Sequence, residues 1–365
     1  MLADIVNALG ENAVLVSGGI LIGIVFGAMA QQSRFCLRAA AVEFSRGGIG
    51  QKTAIWLMVF TTAVTGTSLL AAAGIISLNE ARQLATPQSL SGALIGGVMF
   101  GTGMVLSGGC ASRLLVLSAT GNLRALLSGL VFAVVAQASL RGVLSPAREW
   151  IAGGATTLAT GGNNLIELSG IDPVIAILIA CVATSASVAT AIYARLSPWR
   201  MIAAAVVGAT VPAAWWFSYA MQGVSFEPVQ MNAISFTGPS ADALMAVLTR
   251  PVDGYDFNSG LVPGVFIGAF LAAFFTRELQ LKGFEGGANM RRYLTGAALM
   301  GFGGMLAGGC AVGAGVTGAS VFAMTAWITL FAIWISAALT DFVIDRRAGV
   351  RPEMDPMMGM YGSGI

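Results

Sequence analysis

Long apolar runs dominate this sequence, and short polar segments separate them. An α-helix rises ~1.5 Å per residue, so about 20 apolar residues cross the ~30 Å hydrocarbon core of a bilayer. Runs of that length, or nearly so, occupy about 13–31, 54–77, 90–107, 123–141, 173–193, 200–220, 260–276, 292–307 and 321–341. The pattern predicts an all-α, polytopic membrane helix bundle of about nine transmembrane helices, forming one integral membrane domain over 1–365 without a soluble domain.

Composition agrees with a membrane protein and excludes several other classes. The chain is 56% hydrophobic and 10% charged, whereas soluble domains carry roughly 25% charged residues. Its 48 glycines lie inside apolar stretches without a collagen period, which is typical of closely packed membrane helices. The formal net charge is only +2, so we expect no nucleic acid partner.

Histidine is absent and the four cysteines are isolated in sequence. The missing histidines exclude serine–histidine and cysteine–histidine catalysis and most catalytic zinc sites. The cysteines form no Cys-x-x-Cys pair, so no thioredoxin motif or zinc knuckle is encoded locally. We therefore expect no enzyme activity, no cofactor and no metal site.

Basic residues are distributed unevenly between the two sides of the predicted bundle. With the N-terminus outside the cytoplasm, the cytoplasmic segments hold fifteen: Arg34, Arg38, Arg46, Lys52, Arg113, Arg124, Arg195, Arg200, Arg277, Lys282, Arg291, Arg292, Arg346, Arg347 and Arg351. The other side holds four: Arg82, Arg141, Arg148 and Arg250. The polar stretch 221–259, which contains Glu227, Asp242, Asp253 and Asp256, then lies outside. The positive-inside rule predicts a bacterial inner-membrane protein with a periplasmic N-terminus and a cytoplasmic C-terminus.

An internal repeat appears at an offset of 200 residues. GTGMVLSGGCA at 101–111 matches GFGGMLAGGCA at 301–311, with seven of eleven positions identical. Two helix-packing faces rich in small residues also explain such a match, but packing does not require a thiol at the same position in both. In the predicted topology the two copies cross in opposite directions. Inverted repeats, here roughly 13–193 and 200–345, are a recurrent architecture of transporters.

The repeats end in glycine pairs that favour helix breaks beside a cavity. Gly108-Gly109 and Gly308-Gly309 tolerate the backbone angles of a break, and irregular backbone within a membrane lies only where protein buries it or water lines it. The run 292–307 spans only about 24 Å, which also favours a break. If short helices restart after Cys110 and Cys310, their N-terminal amides favour an anion.

A third thiol lies in the polar cluster QQSRFCLR, with Arg34, Cys36 and Arg38. The two arginines concentrate anions at the inner mouth if the segment folds back into the membrane, but they also fit a plain cytoplasmic loop. Cys181 has only apolar and small neighbours and is predicted to be a packing residue.

These segments resemble the YeeE/YedE family of bacterial sulfur-compound transporters, whose recognised members import thiosulfate. The resemblance covers essentially the whole chain and is carried by SRFCLR, LSGGCASRLL and LAGGCAVGAG. It implies that Cys36, Cys110 and Cys310 line a narrow hourglass-shaped path and contact the passing anion. Some relatives have a fused or neighbouring sulfur-carrier domain; here such a partner is expected to be a separate cytoplasmic protein. Other members are associated with selenium or other sulfur metabolism, so another substrate of that kind stays open.

The residues also indicate a transport mechanism and leave two rival functions open. Protonated thiols are soft, weak donors, and weak successive sites allow conduction. No Asp, Glu or His lies in the middle of a predicted span, with Asp341 only at the end of the last, so facilitated passage is expected rather than a proton relay. A membrane thiol–disulfide oxidoreductase is one rival, although its cysteines are usually closely paired. A membrane scaffold for a sulfur-handling complex is the other.

Overall fold

The computed structural model describes residues 2–225, 230–248, 256–284 and 287–346, and this part of the chain is helical. Its β-structure consists of isolated bridges. The first half contains α1 (Leu2–Leu9), α2 (Glu11–Ser33), α3 (Leu37–Ser45), α4 (Gln51–Ala72), α5 (Arg82–Ala85), α6 (Leu90–Ser107), α7 (Ala111–Ala119), α8 (Leu123–Arg141), α9 (Ser145–Ala152), α10 (Leu165–Ser169) and α11 (Pro173–Tyr193). The second half contains α12 (Pro198–Gln222), α13 (Thr237–Leu248), α14 (Phe257–Phe275), α15 (Gly287–Leu306), the π-helix π1 (Ala311–Thr317), α16 (Gly318–Ser320), α17 (Met324–Thr340) and the π-helix π2 (Asp341–Arg346).

Nine segments of the described chain are long and apolar enough to span a membrane, which confirms the predicted number. They are Glu11–Ser45, Gln51–Ala72, Leu90–Ala119, Leu123–Arg141, Pro173–Tyr193, Pro198–Gln222, Phe257–Phe275, Asn289–Ser320 and Met324–Ile344. Three of them contain a break between two helices, after Ser33, Ser107 and Leu306. The break after Leu306 is confirmed, but the short run used to predict it is wrong. The helix before it begins at Gly287 and has 20 residues, about 30 Å, because the polar first turns belong to the helix.

Helix starts follow from capping side chains in the short loops. The Ser89 hydroxyl accepts from the Gly92 amide at 2.8 Å, and the Asn122 side chain accepts from the Ala125 amide at 3.0 Å. These contacts satisfy amides that have no intrahelical partner. The loops therefore fix where α6 and α8 begin. Because the break after Ser107 ends α6, the start of this helix also helps to fix the position of the break.

Glycines allow α2 and α14 to pack backbone against backbone. An added Cβ at Gly19 would clash with the Phe257 carbonyl oxygen, one at Gly23 would lie 2.6 Å from that of Leu261, and one at Gly27 would clash with that of Val265. Such contacts confirm the expectation that small residues serve close helix packing. Because residue numbers rise together along the contact, α2 and α14 run parallel.

The two helices that carry the Gly-Gly-Cys segments, α6 and α15, pack directly on each other. An added Cβ at Gly96 would lie 2.5 Å from the Gly303 carbonyl oxygen, and one at Gly103 would lie 2.5 Å from that of Gly296. Early residues of α6 therefore face late residues of α15, so the two helices run antiparallel. Their C-terminal ends, where the breaks lie, point to opposite ends of the bundle.

The other helices surround these two pairs in a regular way. Helix α4 packs on α12, α11 and α3, while α6 packs on α17 and α15 packs on α8. The short helix α3 lies against α4, α17 and α6, and the short helix α13 lies against α14, α8 and α15. Each short helix is thereby held by three neighbouring elements at its N-terminal part, whereas the last turn of α13 is exposed at Val247 and Leu248.

Asp341, the acidic residue at the end of the last span, forms a buried ion pair. Arg46 donates from Nε to its Oδ2 at 2.9 Å and from Nη2 to its Oδ1 at 2.6 Å. The Asp341 side chain is 2% exposed, and a bidentate geometry suits burial of such a pair. This carboxylate ties π2 to the end of α3.

Several charged residues used in the orientation argument lie outside the described residues. They are Glu227, Arg250, Asp253, Arg347 and Arg351, together with the C-terminus.

Candidate functional site

Cys36, Cys110 and Cys310 occupy the same local backbone position in three helix breaks. Each is the N-cap of the helix that follows, with extended backbone: φ/ψ is −160/115 at Cys36, −77/169 at Cys110 and −81/−176 at Cys310. Two residues earlier the chain is left-handed, at Arg34 (φ 60), Gly108 (φ 80) and Gly308 (φ 78). Glycine adopts this conformation without strain. The break before Cys36 thus has the geometry of the two Gly-Gly-Cys breaks without their sequence.

The structure brings Cys36 and Cys110 together. Their side chains lie within interaction distance of each other, and the Cys110 sulfur also lies 3.4 Å from the Ser112 hydroxyl. Cys110 is buried and Cys36 is half-buried. Two thiols from the starts of α3 and α7 therefore form one site.

Cys310 begins π1 on the opposite side of the α6–α15 pair. It is buried, and its sulfur accepts a hydrogen bond from the Gly313 amide at 3.3 Å. An added Cβ at Gly92 would lie 2.5 Å from the Leu306 carbonyl oxygen, and one at Gly296 would lie 2.5 Å from the Ser107 amide. Gly92 and Ser107 are fifteen positions apart on α6, which is about 22 Å along the helix. The break that leads to Cys310 and the break that leads to Cys110 are therefore separated by about this length of α6.

A strongly basic cavity of about 270 Å³ adjoins the first thiol pair. We call it the Cys36 cavity; its charged lining residues are Arg34, Arg38, Glu43, Lys52, Arg113 and Arg200. The Glu43 carboxylate accepts from the Thr53 amide at 2.8 Å and from its hydroxyl at 2.9 Å, so it serves to hold α3 against α4. The excess of cations gives this cavity a potential that attracts anions.

A second cavity, of about 390 Å³, adjoins the Cys310 break. We call it the Arg82 cavity; Gly308 and Gly309 line it together with Arg82, Arg148 and Asp242. Burial, and next the neighbouring Asp256, raise the pKa of the Asp242 carboxyl. Burial lowers the pKa of Arg82, which as a guanidinium stays charged.

The two cavities lie at opposite ends of the spanning helices. Asn258 at the start of α14 lines the Arg82 cavity, whereas Glu278, just past the end of α14, contacts Arg34 of the Cys36 cavity. Helix α14 has 19 residues, about 28 Å. The sequence predicts glycine hinges beside one cavity; the structure places Gly108 at one cavity and the pair Gly308-Gly309 at another.

An arginine contacts the left-handed glycine of each Gly-Gly-Cys break. Arg38 donates from Nη1 to the Gly108 carbonyl at 3.5 Å, and Arg82 donates from Nη2 to the Gly308 carbonyl at 3.1 Å. The carbonyls need a donor because the helix has just ended. Each guanidinium is thereby fixed at the carbonyl of the residue two positions before a cysteine, where its cavity meets the break.

Arg34 takes part in a polar network rather than in the cavity alone. Its Nη2 lies 3.2 Å from Glu278 Oε1, and Gln31 donates to Glu278 Oε2 at 2.8 Å. Arg113 in turn donates to the Gln31 side chain at 3.5 Å. Much of the Arg34 charge is therefore balanced by Glu278, while the buried Arg38 and Arg113 lie closer to the thiols.

Sequence reasoning missed two residues that the structure adds to this region: Arg82 and Arg113. Arg113 lies in LSGGCASRLL, so this motif could have marked it as a candidate site residue. Arg82 and Gly308 are 226 positions apart, so no local pattern joins them. Cys181 is half-buried on α11, apart from the three thiols, and the described residues hold no cluster of three or more acidic or thiol groups that suits a metal ion.

Comparison with known proteins gives a family match and two relatives. A family model described as Sulphur transport matches residues 32–339. The thiosulfate transporter TsuA of Escherichia coli (strain K12) is 25% identical over 358 residues, which is 92% of this chain and 97% of the relative. A protein of the same name from Spirochaeta thermophila is 26% identical over 323 residues, 85% of this chain and 93% of the relative.

Proposed function

Because this chain belongs to the Sulphur transport family, we propose that it carries an inorganic sulfur anion, thiosulfate first, across the bacterial inner membrane. Both relatives are named as thiosulfate transporters, which favours this substrate. The observation that carries the proposal is the arrangement of three thiols, each at a helix start and beside an arginine-bearing cavity. Anions are favoured both by guanidinium groups and by helix N-terminal amides.

An inverted repeat, roughly 13–193 and 200–345, accounts for the packing. Adding 200 to the residue number takes α3 to α13, α4 to α14 and α6 to α15. The packing neighbours of the two short helices correspond in the same way. Helix α3 lies on α4, α17 and α6, and α13 lies on α14, α8 and α15. The antiparallel course of α6 and α15 is the course that two inverted copies require.

The Cys36 cavity faces the cytoplasm in this proposal. It collects Arg34, Arg38, Lys52, Arg113 and Arg200, all from the basic-rich side in the positive-inside assignment. The Arg82 cavity then opens to the periplasm. An incoming anion first meets Arg82, next the Cys310 thiol, then the Cys110 and Cys36 thiols, and finally the inner cluster of arginines.

The thiols serve as weak, soft donors along this route. A protonated thiol donates a hydrogen bond to an anion without adding charge, and its polarisable sulfur suits the terminal sulfur of thiosulfate. Weak sites in series bind the ion enough to admit it and release it again. The membrane-embedded Asp341 is engaged by Arg46, which supports facilitated passage driven by consumption of the ion inside. A separate sulfur-carrier protein is a suitable consumer.

Uptake by the purified protein in liposomes tests the proposal. We expect saturable entry of ³⁵S-labelled thiosulfate, with stronger competition by unlabelled thiosulfate than by sulfate, sulfite, sulfide or selenite. Entry by the protein alone also separates a transporter from a membrane scaffold, for which binding without entry is the expected result. Preferred uptake of selenite would change the assigned substrate and leave the proposed transport mechanism in place. Absence of entry for every anion in the panel would overturn the proposal.

Arg82 is expected to set the affinity for the incoming ion. No carboxylate in the described part of the chain lies within salt-bridge distance of it, whereas Arg148 in the same cavity pairs with Glu149 at 3.2 Å. We expect Arg82→Gln to raise the KM for thiosulfate about tenfold, since a charge-assisted bond contributes about 1.5–3 kcal/mol. Arg148→Gln serves as the matched control, with a change of less than about threefold. Equal effects in the two variants would remove the special role of Arg82.

The contact between Cys36 and Cys110 keeps thiol–disulfide exchange as a second candidate function. Two adjacent thiols are what such chemistry needs. Mass spectrometry of the thiols during steady uptake distinguishes the two: a transporter keeps both cysteines reduced, and an oxidoreductase accumulates the Cys36–Cys110 disulfide.

A further inference from the structure

A pair of fully buried aromatic rings joins the segment before α13 to α2, the helix that leads to the Cys36 break. Phe26 of α2 and Phe236, which directly precedes α13, have ring centroids 5.2 Å apart with an interplanar angle of 48°. Phe26 is 1% exposed and Phe236 is 0% exposed. Phe26 lies seven residues before the end of α2 at Ser33, about 10 Å from the break that leads to Cys36.

Phe236 also reaches the Cys310 side through its neighbours in the chain. Ser235 and Thr237 line the Arg82 cavity together with Gly308 and Gly309. The carbonyl of Ile234 accepts a hydrogen bond from the Thr317 hydroxyl of π1 at 2.7 Å. The segment 234–237 is therefore fixed against the helix that Cys310 begins, and the Phe236 ring extends from it to α2.

The position of Phe236 corresponds to that of Cys36. The two residues are 200 positions apart, and each directly precedes a short helix, α3 or α13, held among corresponding neighbours. Cys36 faces the thiol of Cys110. By the same relation Phe236 stands where a fourth thiol, facing Cys310, would complete the symmetry.

We propose that Phe236 is the apolar barrier of the pathway and a determinant of its selectivity. The inference rests on the proposed transport function. Apolar constrictions exclude hydrated ions because desolvation of a charge in apolar surroundings is costly. Thiosulfate, whose charge is spread onto a terminal sulfur, passes such a barrier at lower cost than sulfate. An aromatic ring in place of a thiol therefore converts one of four equivalent positions from a binding site into a filter.

A size series at position 236 tests the barrier in proteoliposomes. We expect the ratio of thiosulfate to sulfate entry to fall about tenfold in Phe236→Ala and by a smaller factor in Phe236→Leu, because sulfate entry rises as the ring is removed. Phe236→Trp is expected to slow both ions. Phe257→Leu is the matched control: Phe257 is also buried and paired with another ring, Phe217, at 5.9 Å, and its ratio should stay at the wild-type value.

A labelling experiment tests the same barrier without transport. In right-side-out vesicles, a membrane-impermeant anionic methanethiosulfonate added outside should modify Cys310 but not Cys110 in the wild-type chain. In Phe236→Ala it should modify both, as measured by peptide mass spectrometry. Phe236→Met, which conserves volume, replaces the alanine variant if that protein does not purify as a single species. Its expected result is an intermediate rate of Cys110 modification.

The outcomes separate this inference from the transport function. If the wild-type protein transports no anion, yet Cys110 becomes accessible only when Phe236 is reduced in size, the barrier stands and the transport proposal fails. If the wild-type protein transports thiosulfate, while every folded variant at 236 keeps its selectivity and leaves Cys110 protected, the barrier proposal is overturned. External modification of Cys110 in the wild-type chain would overturn it as well.

Discussion

Replacing Cys110 or Cys310 with alanine is expected to reduce thiosulfate uptake by about 10- to 100-fold at subsaturating concentration. Each change removes a donor to a charged ion, a contact that contributes about 1.5–3 kcal/mol, and ~1.4 kcal/mol corresponds to a factor of ten. Both thiols are buried at a helix start, so water does not readily replace the missing donor. Initial rates of ³⁵S-thiosulfate entry into proteoliposomes measure the effect.

Cys181→Ala is the control for this experiment. Its thiol lies on α11, outside both cavities, and we expect unchanged uptake. A serine at 110 or 310 should restore part of the rate, because a hydroxyl donates a hydrogen bond but lacks the soft sulfur. Wild-type uptake by a double variant lacking both thiols would contradict the role given to them.

Replacing Gly96 or Gly303 with valine is expected to destabilise the protein strongly and to impair both thiol sites together. An added Cβ at Gly303 would lie 2.8 Å from the Gly96 carbonyl oxygen, and backbone on both sides leaves no side chain to move aside. Overpacking a tight interface costs about 1–3 kcal/mol, and here the further consequence is separation of α6 from α15. Since these helices hold the two Gly-Gly-Cys breaks, uptake should fall with the melting temperature.

Gly129→Val provides the matched glycine substitution. It lies within α8, and an added Cβ there has no atom within 4 Å, so we expect a melting temperature close to that of the wild type. Fluorescence-detected melting of the detergent-purified proteins measures the difference. A Gly303→Val protein as stable as Gly129→Val would show that α6 and α15 need not touch.

Much of the fold follows from the sequence because a bilayer imposes one simple requirement. Every backbone polar group in the hydrocarbon region must find a partner, so apolar runs of sufficient length become helices. The nine runs therefore give nine spans. The length predicted for the run 292–307 was too short because polar residues begin this helix. Helix α15 starts at Gly287, and hydropathy does not detect a helical turn that extends beyond the apolar core.

The site was only partly predictable from local patterns. Left-handed backbone before Cys110 and Cys310 was expected from glycine, and both breaks are present at those positions. The same conformation at Arg34 has no such signal, since tertiary contacts with Glu278 hold it. Phe236 has no motif of its own, and its significance comes from its position, which corresponds to that of Cys36, and from its contact with Phe26 on α2.

The sequence by itself determined the membrane class, the number of spans, the absence of histidine chemistry and the three thiols in their polar or glycine-rich settings. Each of these depends on composition or on contacts within a few residues. Only the tertiary structure decided that Cys36 joins Cys110 while Cys310 lies apart, that Arg82 reaches Gly308, and that the Phe26 and Phe236 rings pack on each other. Those outcomes depend on how helices distant in the chain approach one another, and glycine packing sets that approach through contacts that no single segment encodes.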